Sequence, residues 1–471
     1  MKKFFPHITV FIIIFSSIVF FVYKTNRTNV GSYQYIRKAS QYIAEDKYRK
    51  ALSLFHKAYE VSQKSEKIRK ELIDGYVQYV RYLDKMDQIS LATDYALKAY
   101  GIDGNDLSAK HVLAYLYAKT AIKESQFGKS ALALEFLEKV VSISKSSKKV
   151  SGSISNFMFN KGIEAFNEKD GETVKLCLHT SYKLRPRFET LDFMGEYYHR
   201  EPDLDKALFY WEKAQKARSD DDEMNNKIRK LKKEILACKD SKVLDTENFN
   251  VQMDGSYDID IRKLQDMLRR IYDKVGEDLN LYPALETPIM LYREEDFRDI
   301  FDKKGITRAF YNGSIRMALS MDIDDPVFEA ILAHEYTHAV VSIITANQCS
   351  IWLNEGIAVF EQARYMPIST DNVKEMLEAD EPLSLELLEQ GFDMREEDLS
   401  RVVLSYEGAY TVVLFILDEW GWGGVRGLLQ RAADGCHYSN AIDSEFYISQ
   451  SCFEEMWIEY LKEKFKAETV D

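Results

Sequence analysis

The chain of 471 residues carries 63 basic and 76 acidic residues, which gives a net charge of -13. This acidic balance argues against nucleic acid as a main partner, because phosphate binding needs a basic surface. The length predicts two or three domains. The five cysteines are scattered and form no Cys-x-x-Cys pair, which argues against a disulfide framework and against a thiolate zinc site.

The N-terminal sequence predicts a membrane anchor. Two lysines precede an uncharged, mostly apolar run from Ile8 to Tyr23, and two phenylalanines before the run extend it to about 20 residues, enough for a spanning helix. No small-residue cleavage site follows. Residues 1–27 are therefore expected to form a retained, single-pass signal anchor. The bulk of the chain is expected outside the cytosol, in a bacterial periplasm or at a cell surface.

Residues 33–236 have a helical period and almost no proline. A small residue is followed three positions later by an aromatic or small one, and then by a small-large-small set in the next helix. Three copies of this pattern occur at Ala39, Tyr42, Ala51, Phe55 and Ala58; at Gly162, Ala165, Val174, Leu178 and Ser181; and at Gly195, Tyr198, Ala207, Trp211 and Ala214. Paired helices that pack closely at small residues produce such a pattern.

This pattern resembles the tetratricopeptide repeat. The resemblance implies an all-α repeat array that presents a concave surface to a partner protein or a protein substrate. A generic helical bundle with alanines on its buried faces is the alternative. Residues 237–246, after the last repeat, are expected to be a linker.

After residue 247 the sequence predicts strands first and then helices. FNVQMDG (249–255) and TPIMLYR (287–293) have strand character, and in AFYNGSIRMALS the pair Asn312-Gly313 between two extended runs predicts a hairpin. Helices dominate from Asp325 onward. Residues 247–467 are therefore predicted to form an α+β domain. The acidic stretch 371–400 is expected to be a solvated loop.

The motif HEYTH (334–338) lies inside an apolar helical stretch. Residues four apart share one face of a helix, so His334 and His338 can direct two imidazoles at one metal ion. Glu335 is rotated by about 100° and can reach a metal-activated water as general base. In WLNEG (352–356), Asn354 is a good N-cap for a second helix and Glu355 is a candidate third ligand. Alternatively, Glu355 only complements the helix dipole, and His437 is a weaker candidate.

HEYTH and WLNEGIA together resemble the two motifs of the gluzincin metallopeptidases, the peptidase MA-like group related to thermolysin and the zinc aminopeptidases. The resemblance implies a thermolysin-like α+β domain with one Zn²⁺ per chain, bound by His334, His338 and Glu355, and with Glu335 as general base. It also implies that the hairpin strand SIRMALS (314–320) is an edge strand that pairs with substrate.

The stretch LSYEGAYTVVLFILDEWGWGG (404–424) resembles a later helix of the aminopeptidase-like members, where a Tyr-Glu pair opens a long apolar helix. This implies Tyr406 as the hydrogen-bond donor to the oxyanion, with Tyr410 as the alternative. Two features depart from the family. Gly408 comes one residue early, and residues 309–320 contain no counterpart of the Gly-x-Met-Glu-Asn stretch that grips a free amine, so an endopeptidase is expected.

The sequence as a whole predicts a membrane-anchored zinc peptidase whose helical repeats recruit a protein substrate or partner. The alternative from another class is a catalytically inactive scaffold or adaptor, in which the peptidase-like domain binds peptides without cutting them. The presence of all four core residues in the two motifs favours the enzyme.

Overall fold

The computed structural model describes residues 31–62, 65–168, 170–255, 259–301, 308–319, 323–379, 381–392 and 399–468. The expected signal anchor at residues 1–27 lies outside these residues. The chain divides into two compact units, one of Met1–Phe166 with Asp170–Pro186 and one of Asn167–Lys169 with Arg187–Asp471. The division falls inside the stretch 33–236 that was expected to form a single repeat array.

The first unit consists of helices in its described part. They are α1 (31–44), α2 (Tyr48–Val61), α3 (Glu66–Lys85), α4 (Ile89–Ile102), α5 (Leu107–Gln126), α6 (Ser130–Ser144), α7 (Lys148–Asn167) and α8 (Gly171–Leu184). Successive helices from α2 to α6 pack against one another, and α8 packs against α5 and α6.

Small residues lie where these helices approach closely, as the repeat pattern predicts. A Cβ atom added at Gly162 would stand 2.9 Å from Leu178, its partner in the same copy of the pattern, and one added at Gly75 would stand 2.7 Å from the ring of Phe55. Ala51 and Ala58 are fully buried. The helices can therefore pack this closely only because these positions lack bulk.

The second unit begins with three further helices, α9 (Phe188–Arg200), α10 (Leu204–Ala217) and α11 (Asp222–Ala237). Gly195 of α9 packs directly against the ring of Trp211 in α10, so the pairing predicted for the third copy of the pattern is present. The expected linker contains a strand, because Ser241–Asp245 pairs with the strand that follows it.

A five-stranded mixed sheet forms next. Its strands are β1 (Ser241–Asp245), β2 (Phe249–Asp254), β3 (Thr287–Arg293), β4 (Ala309–Tyr311) and β5 (Ile315–Leu319), in the spatial order β1-β2-β3-β5-β4. The three central strands run parallel, whereas β1 and β4 are antiparallel to their neighbours. The predicted hairpin is present as β4 and β5. The expectation that SIRMALS forms the edge is wrong, since β5 lies between β3 and β4.

Helices of the second unit surround this sheet or follow it. They are α12 (Ile261–Leu279), α13 (Glu294–Ile300), α14 (Pro326–Thr345), α15 (Ile351–Gln362), α16 (Asp371–Glu378), α17 (Leu385–Gly391), α18 (Leu399–Ala433), α19 (Tyr438–Phe446) and α20 (Gln450–Glu468). The prediction that strands come first and helices dominate from Asp325 onward is therefore confirmed. Gly421, with φ of 63°, interrupts α18.

Helices α14 and α18 form much of the core of this unit. Within the described residues they are the two helices long and apolar enough to cross a membrane, but 56% of the apolar window of α14 and 50% of that of α18 are buried inside the protein. In α14, Tyr336 is fully buried, and its ring centre lies 5.1 Å from that of Phe249 in β2. Their apolar character is thus explained by packing on the sheet and on neighbouring helices.

Candidate metal centre

Helix α14 brings the two histidines of HEYTH together. Asp325 caps the helix by accepting a hydrogen bond from the backbone N–H of Val327 at 2.9 Å, and Pro326 occupies the first turn, where its missing N–H costs nothing. One turn separates His334 from His338, and their Nε2 atoms lie 3.1 Å apart. The spacing of four residues therefore places both imidazoles on one face, as predicted.

Helix α15 supplies the carboxylate that faces them. The Oε2 atom of Glu355 lies 3.4 Å from Nε2 of His334 and 3.4 Å from Nε2 of His338. The helix approaches α18 closely at the next residue, Gly356, where an added Cβ would stand 2.5 Å from the carbonyl oxygen of Ala409. The glycine of the WLNEG motif thus allows the close packing of the helix that carries Glu355.

The three ligand atoms form a triangle with sides of 3.1, 3.4 and 3.4 Å. A tetrahedral zinc ion with bonds of ~2.0–2.2 Å needs donor atoms ~3.3–3.6 Å apart, which is close to these distances. Among the described residues, Oε2 of Glu355 is buried and makes no hydrogen bond of good geometry. Two imidazole nitrogens and an otherwise unsatisfied carboxylate oxygen are a donor set that fits zinc.

Asn354 orients His338. Its Oδ1 atom lies 3.0 Å from Nδ1 of His338, so the ring donates a hydrogen bond from Nδ1 and keeps Nε2 available as a ligand. The sequence suggested a different role, that of N-cap, but α15 begins at Ile351 after Ser350. Asn354 lies one turn inside the helix for this reason, and Glu355 follows it rather than starting the helix.

Glu389 caps α15 from a distant part of the chain. Its two carboxylate oxygens accept hydrogen bonds from the backbone N–H groups of Ile351 (3.0 Å) and Trp352 (2.9 Å). The acidic stretch 371–400, expected to be a solvated loop, forms α16 and α17 in its described part. No local sequence signal identifies Glu389, because its partners are 37 and 38 residues away.

Glu335 is buried next to the ligand cluster. Burial raises the pKa of its carboxyl group; the charges of His334 and His338 and a hydrogen bond from the backbone of Tyr311 lower it, and the net pKa is raised. For Glu355, burial also raises the pKa, but the interactions with both histidines dominate and the net pKa is well below its usual range. The two glutamates therefore have different environments, with Glu355 held ionised.

Of the two candidate tyrosines, Tyr406 is the one beside the cluster. Its ring centre lies 6.4 Å from that of His334, and it packs edge-on against Phe392 at 5.0 Å. Burial, followed by the charges of Glu355 and Glu335, raises the pKa of Tyr406, so its hydroxyl stays protonated and can donate. Tyr410, one turn on, is half-buried and lies near Tyr460 instead.

One further sequence expectation concerns the surroundings of Tyr406, and another concerns His437. Helix α18 begins at Leu399, so the Tyr-Glu pair lies inside the helix and does not open it. Glu407 accepts hydrogen bonds from the backbone and side chain of Asn372 at 2.8 and 2.7 Å and thereby holds the start of α16. His437, the weaker candidate ligand, caps α19 through the N–H of Ser439.

Comparisons with known proteins agree with the peptidase-like part of this assignment. Residues 325–463 match the Peptidase MA superfamily, a span shorter than half of the chain that contains all five candidate site residues. Among curated proteins, none matches the chain.

Solved structures of helical repeats also match. One is a thermophilic TPR protein of Thermus thermophilus, with 17% identity, 42% of this chain and 98% of that chain covered, and a TM-score of 0.20. Another is the TPR domain of P58(IPK), with 11% identity, 83% of this chain and 99% of that chain covered, and a TM-score of 0.20. Both TM-scores are too low to establish a shared fold, and the close helix packing at small residues in the first unit is the structural feature that agrees with the repeat pattern.

Proposed function

We propose that the chain is a zinc-dependent peptidase that hydrolyses internal peptide bonds. His334, His338 and Glu355 would hold one Zn²⁺, Glu335 would act as general base and Tyr406 would stabilise the oxyanion. The observation that carries the proposal is the triangle of ligand atoms, with sides of 3.1 to 3.4 Å, next to a buried glutamate that is not one of its corners.

The residues around this triangle fit the steps of peptide hydrolysis. Zinc in such a site supplies Lewis-acid polarisation of a carbonyl and lowers the pKa of a water molecule. Glu335 would accept a proton from the attacking water and pass it to the nitrogen of the leaving amine. The hydroxyl of Tyr406 would donate a hydrogen bond to the substrate oxygen on which negative charge develops. The hydrogen bond that Nδ1 of His338 donates to Oδ1 of Asn354 keeps His338 in the tautomer that binds metal through Nε2.

The edge strand β4 supports binding of an extended peptide. Tyr311, the last residue of β4, is in hydrogen-bonding reach of Glu335 through its backbone, and its hydroxyl lies 3.4 Å from Oγ of Ser342 in α14. A substrate strand that pairs with β4 would therefore run beside the proposed general base. Backbone pairing gives affinity with little preference for side chains.

Two parts of the proposal rest on sequence. The helical repeats would recruit a protein substrate or partner, and residues 1–27 would anchor the chain in a membrane with its bulk outside the cytosol. The small-residue packing of the first unit supports a repeat array of the kind that binds proteins.

The decisive experiment measures metal content and hydrolysis in the full chain, purified without chelators. We expect about one zinc per chain in the wild type and in Glu335→Gln, and loss of zinc in His338→Ala. His437→Ala is the matched control, since this histidine caps a helix elsewhere, and it should keep its zinc. Hydrolysis of a quenched peptide library should be lost in Glu335→Gln.

Each alternative has its own result in this experiment. Absence of zinc from the wild type would refute the metal centre and with it the peptidase. Zinc that is bound through His338, together with no cleavage of any peptide in the library, would favour the scaffold or adaptor. Cleavage that survives in Glu335→Gln would refute the assignment of the general base.

A further inference from the structure

A buried cluster of polar residues lies outside the metal centre and has no role in the steps described above. Arg316, the second residue of β5, is fully buried, and Glu234 of α11 is 1% exposed. The Nε atom of Arg316 donates to Oε1 of Glu234 at 2.9 Å, and the same oxygen accepts from the hydroxyl of Tyr292 at 2.8 Å. The other oxygen of Glu234 lies 2.7 Å from Nε2 of His199.

The ion pair is a requirement for burying Arg316. An arginine cannot lose its charge in a protein, so its guanidinium needs a counterion when it leaves water. Burial raises the pKa of Glu234, but Arg316 and His199 lower it more strongly, to about 2, so the carboxyl group is ionised. The counterion comes from α11, a helix of the predicted repeat region that belongs to the same compact unit as the metal centre.

The remaining nitrogens of Arg316 hold the turn between β4 and β5. Its Nη1 atom donates to Oδ1 of Asn312 at 2.7 Å and also to Oγ of Ser314, which are the first and last residues of the three-residue turn. Its Nη2 atom donates to the carbonyl oxygen of His199 at 2.7 Å. One side chain therefore ties both ends of the hairpin turn to the end of α9.

The same turn also packs directly against α9, at Gly313 and Arg200. Gly313 has φ of 108°, a conformation that favours glycine, and an added Cβ atom would stand 2.8 Å from Cβ of Arg200. Tyr311 directly precedes the turn, and it contacts α14 through its hydroxyl at Ser342 and through its backbone at Glu335. The position of the edge strand beside the metal centre is thus connected, within five residues of the chain, to an ion pair with α11.

We propose that Glu234 and Arg316 are positioning residues that fix the edge strand β4 against the helix bearing Glu335. This inference rests on the proposed function for its effect on hydrolysis. Its structural content is independent of that function: without the ion pair, Arg316 is no longer fixed to α11, it holds the hairpin turn less firmly, and β4 becomes more mobile.

The test compares three variants of the full chain. Glu234→Gln keeps the shape of the side chain but leaves the charge of Arg316 without a counterion. The double variant Glu234→Leu with Arg316→Met replaces the pair by apolar residues of similar size, which commonly restores stability. Lys233→Gln is the matched control, because the neighbouring Lys233 forms a surface ion pair with Asp299.

The first readout is amide hydrogen exchange of residues 309–319. We expect exchange to accelerate about tenfold or more in Glu234→Gln and in the double variant, and to stay at the wild-type rate in Lys233→Gln. The zinc content should remain that of the wild type. The double variant should unfold within about 3 °C of the wild type, so that the faster exchange cannot be attributed to global unfolding.

The second readout is kcat/KM per zinc-loaded chain. We expect kcat/KM to fall about 10- to 100-fold in both ion-pair variants, because a substrate paired with a displaced β4 would be misaligned with the zinc and with Glu335. We expect no loss of kcat/KM in Lys233→Gln. Recovery of both stability and slow hairpin exchange in the double variant would overturn the inference, since the pair would then only stabilise the core. Loss of zinc in Glu234→Gln would also overturn it.

These outcomes separate the inference from the proposed function. If the wild type binds no zinc or cleaves no peptide, the proposed function fails, while hydrogen exchange of the hairpin still decides whether the ion pair positions β4. If the wild type cleaves peptides and the double variant does so equally well, the proposed function stands and the positioning role is refuted.

Discussion

Replacing Glu389 by alanine is expected to weaken zinc binding, although Glu389 touches none of the proposed ligands. Its carboxylate accepts hydrogen bonds from the backbone N–H groups of Ile351 and Trp352, the first two residues of α15. Since that helix carries Asn354 and Glu355 in its first turns, a shift of its start would move both side chains relative to the histidines.

The size of the effect follows from the surroundings of the two hydrogen bonds. The bond to Ile351 lies at the surface, where water can replace the carboxylate, whereas the bond to Trp352 is partly buried. Loss of a bond to a charged acceptor costs about 1.5–3 kcal/mol when the donor stays unpaired. We expect a total of about 2 kcal/mol, in the upper range for a helix cap. If the whole cost falls on the position of α15, zinc binding weakens by about 30-fold.

The assay is a competition titration of zinc against a chromogenic chelator, performed with the full chain. Glu386→Ala is the control. Glu386 is exposed on the same short helix, and its carboxylate accepts a hydrogen bond from the side chain of Gln390 rather than from α15. Thermal unfolding is measured in parallel. A lower Tm with unchanged zinc affinity would show that Glu389 stabilises the fold without positioning the ligands, and unchanged values of both would refute the reasoning altogether.

Three further predictions concern the metal centre itself. Asn354→Ala should weaken zinc binding by about tenfold, since His338 loses the partner of its Nδ1 atom; an unchanged affinity in the same titration would contradict this. Tyr406→Phe should keep zinc and lower kcat by about 100-fold, whereas Tyr410→Phe should resemble the wild type in the same peptide assay. In the metal-free protein, burial lowers the pKa of His338, but the charge and hydrogen bond of Glu355 together with the charge of Glu335 and the hydrogen bond to Asn354 raise it more, to about 9. Because zinc must displace that proton, apparent affinity should rise about tenfold per pH unit from pH 7 to 9, and a flat profile would refute the pairing.

The strands that the sequence predicts are those with strong local signals. Phe249–Asp254 alternates buried and partly exposed residues, and Asn312-Gly313 marks the hairpin. The order of the strands has no such signal, because the parallel pairing of β3 with β5 joins segments separated by α13 and by β4. The expectation that SIRMALS lies at the edge came from the resemblance to the gluzincins, and no local signal in the sequence corrects it. Strand β1 was missed because its residues are mostly exposed and its sequence, SKVLD, has little apolar character.

In the metal centre, too, the residues with local sequence signals could be predicted, whereas contacts between distant parts of the chain could not. His334, Glu335 and His338 come from one helix, and their relative positions depend only on helical geometry. Glu355 comes from the next helix and joins them as predicted. The role of Asn354 was missed because it depends on where α15 begins, and Glu389, a residue more than thirty positions away, contributes to that start.

The contact between α11 and the sheet has no signal in the sequence of α11 itself. The sequence KLKKEIL around Glu234 has the composition of a solvated helix face, so the stretch before residue 237 was assigned to the repeats. The informative signal is Arg316, the one charged residue of the otherwise apolar strand IRMAL. A fully buried arginine requires an anion, and among the described residues its ion-pair partner is Glu234. A charge that violates the pattern of a predicted strand therefore indicates that a further element must pack there, and here that element is the last helix before the sheet.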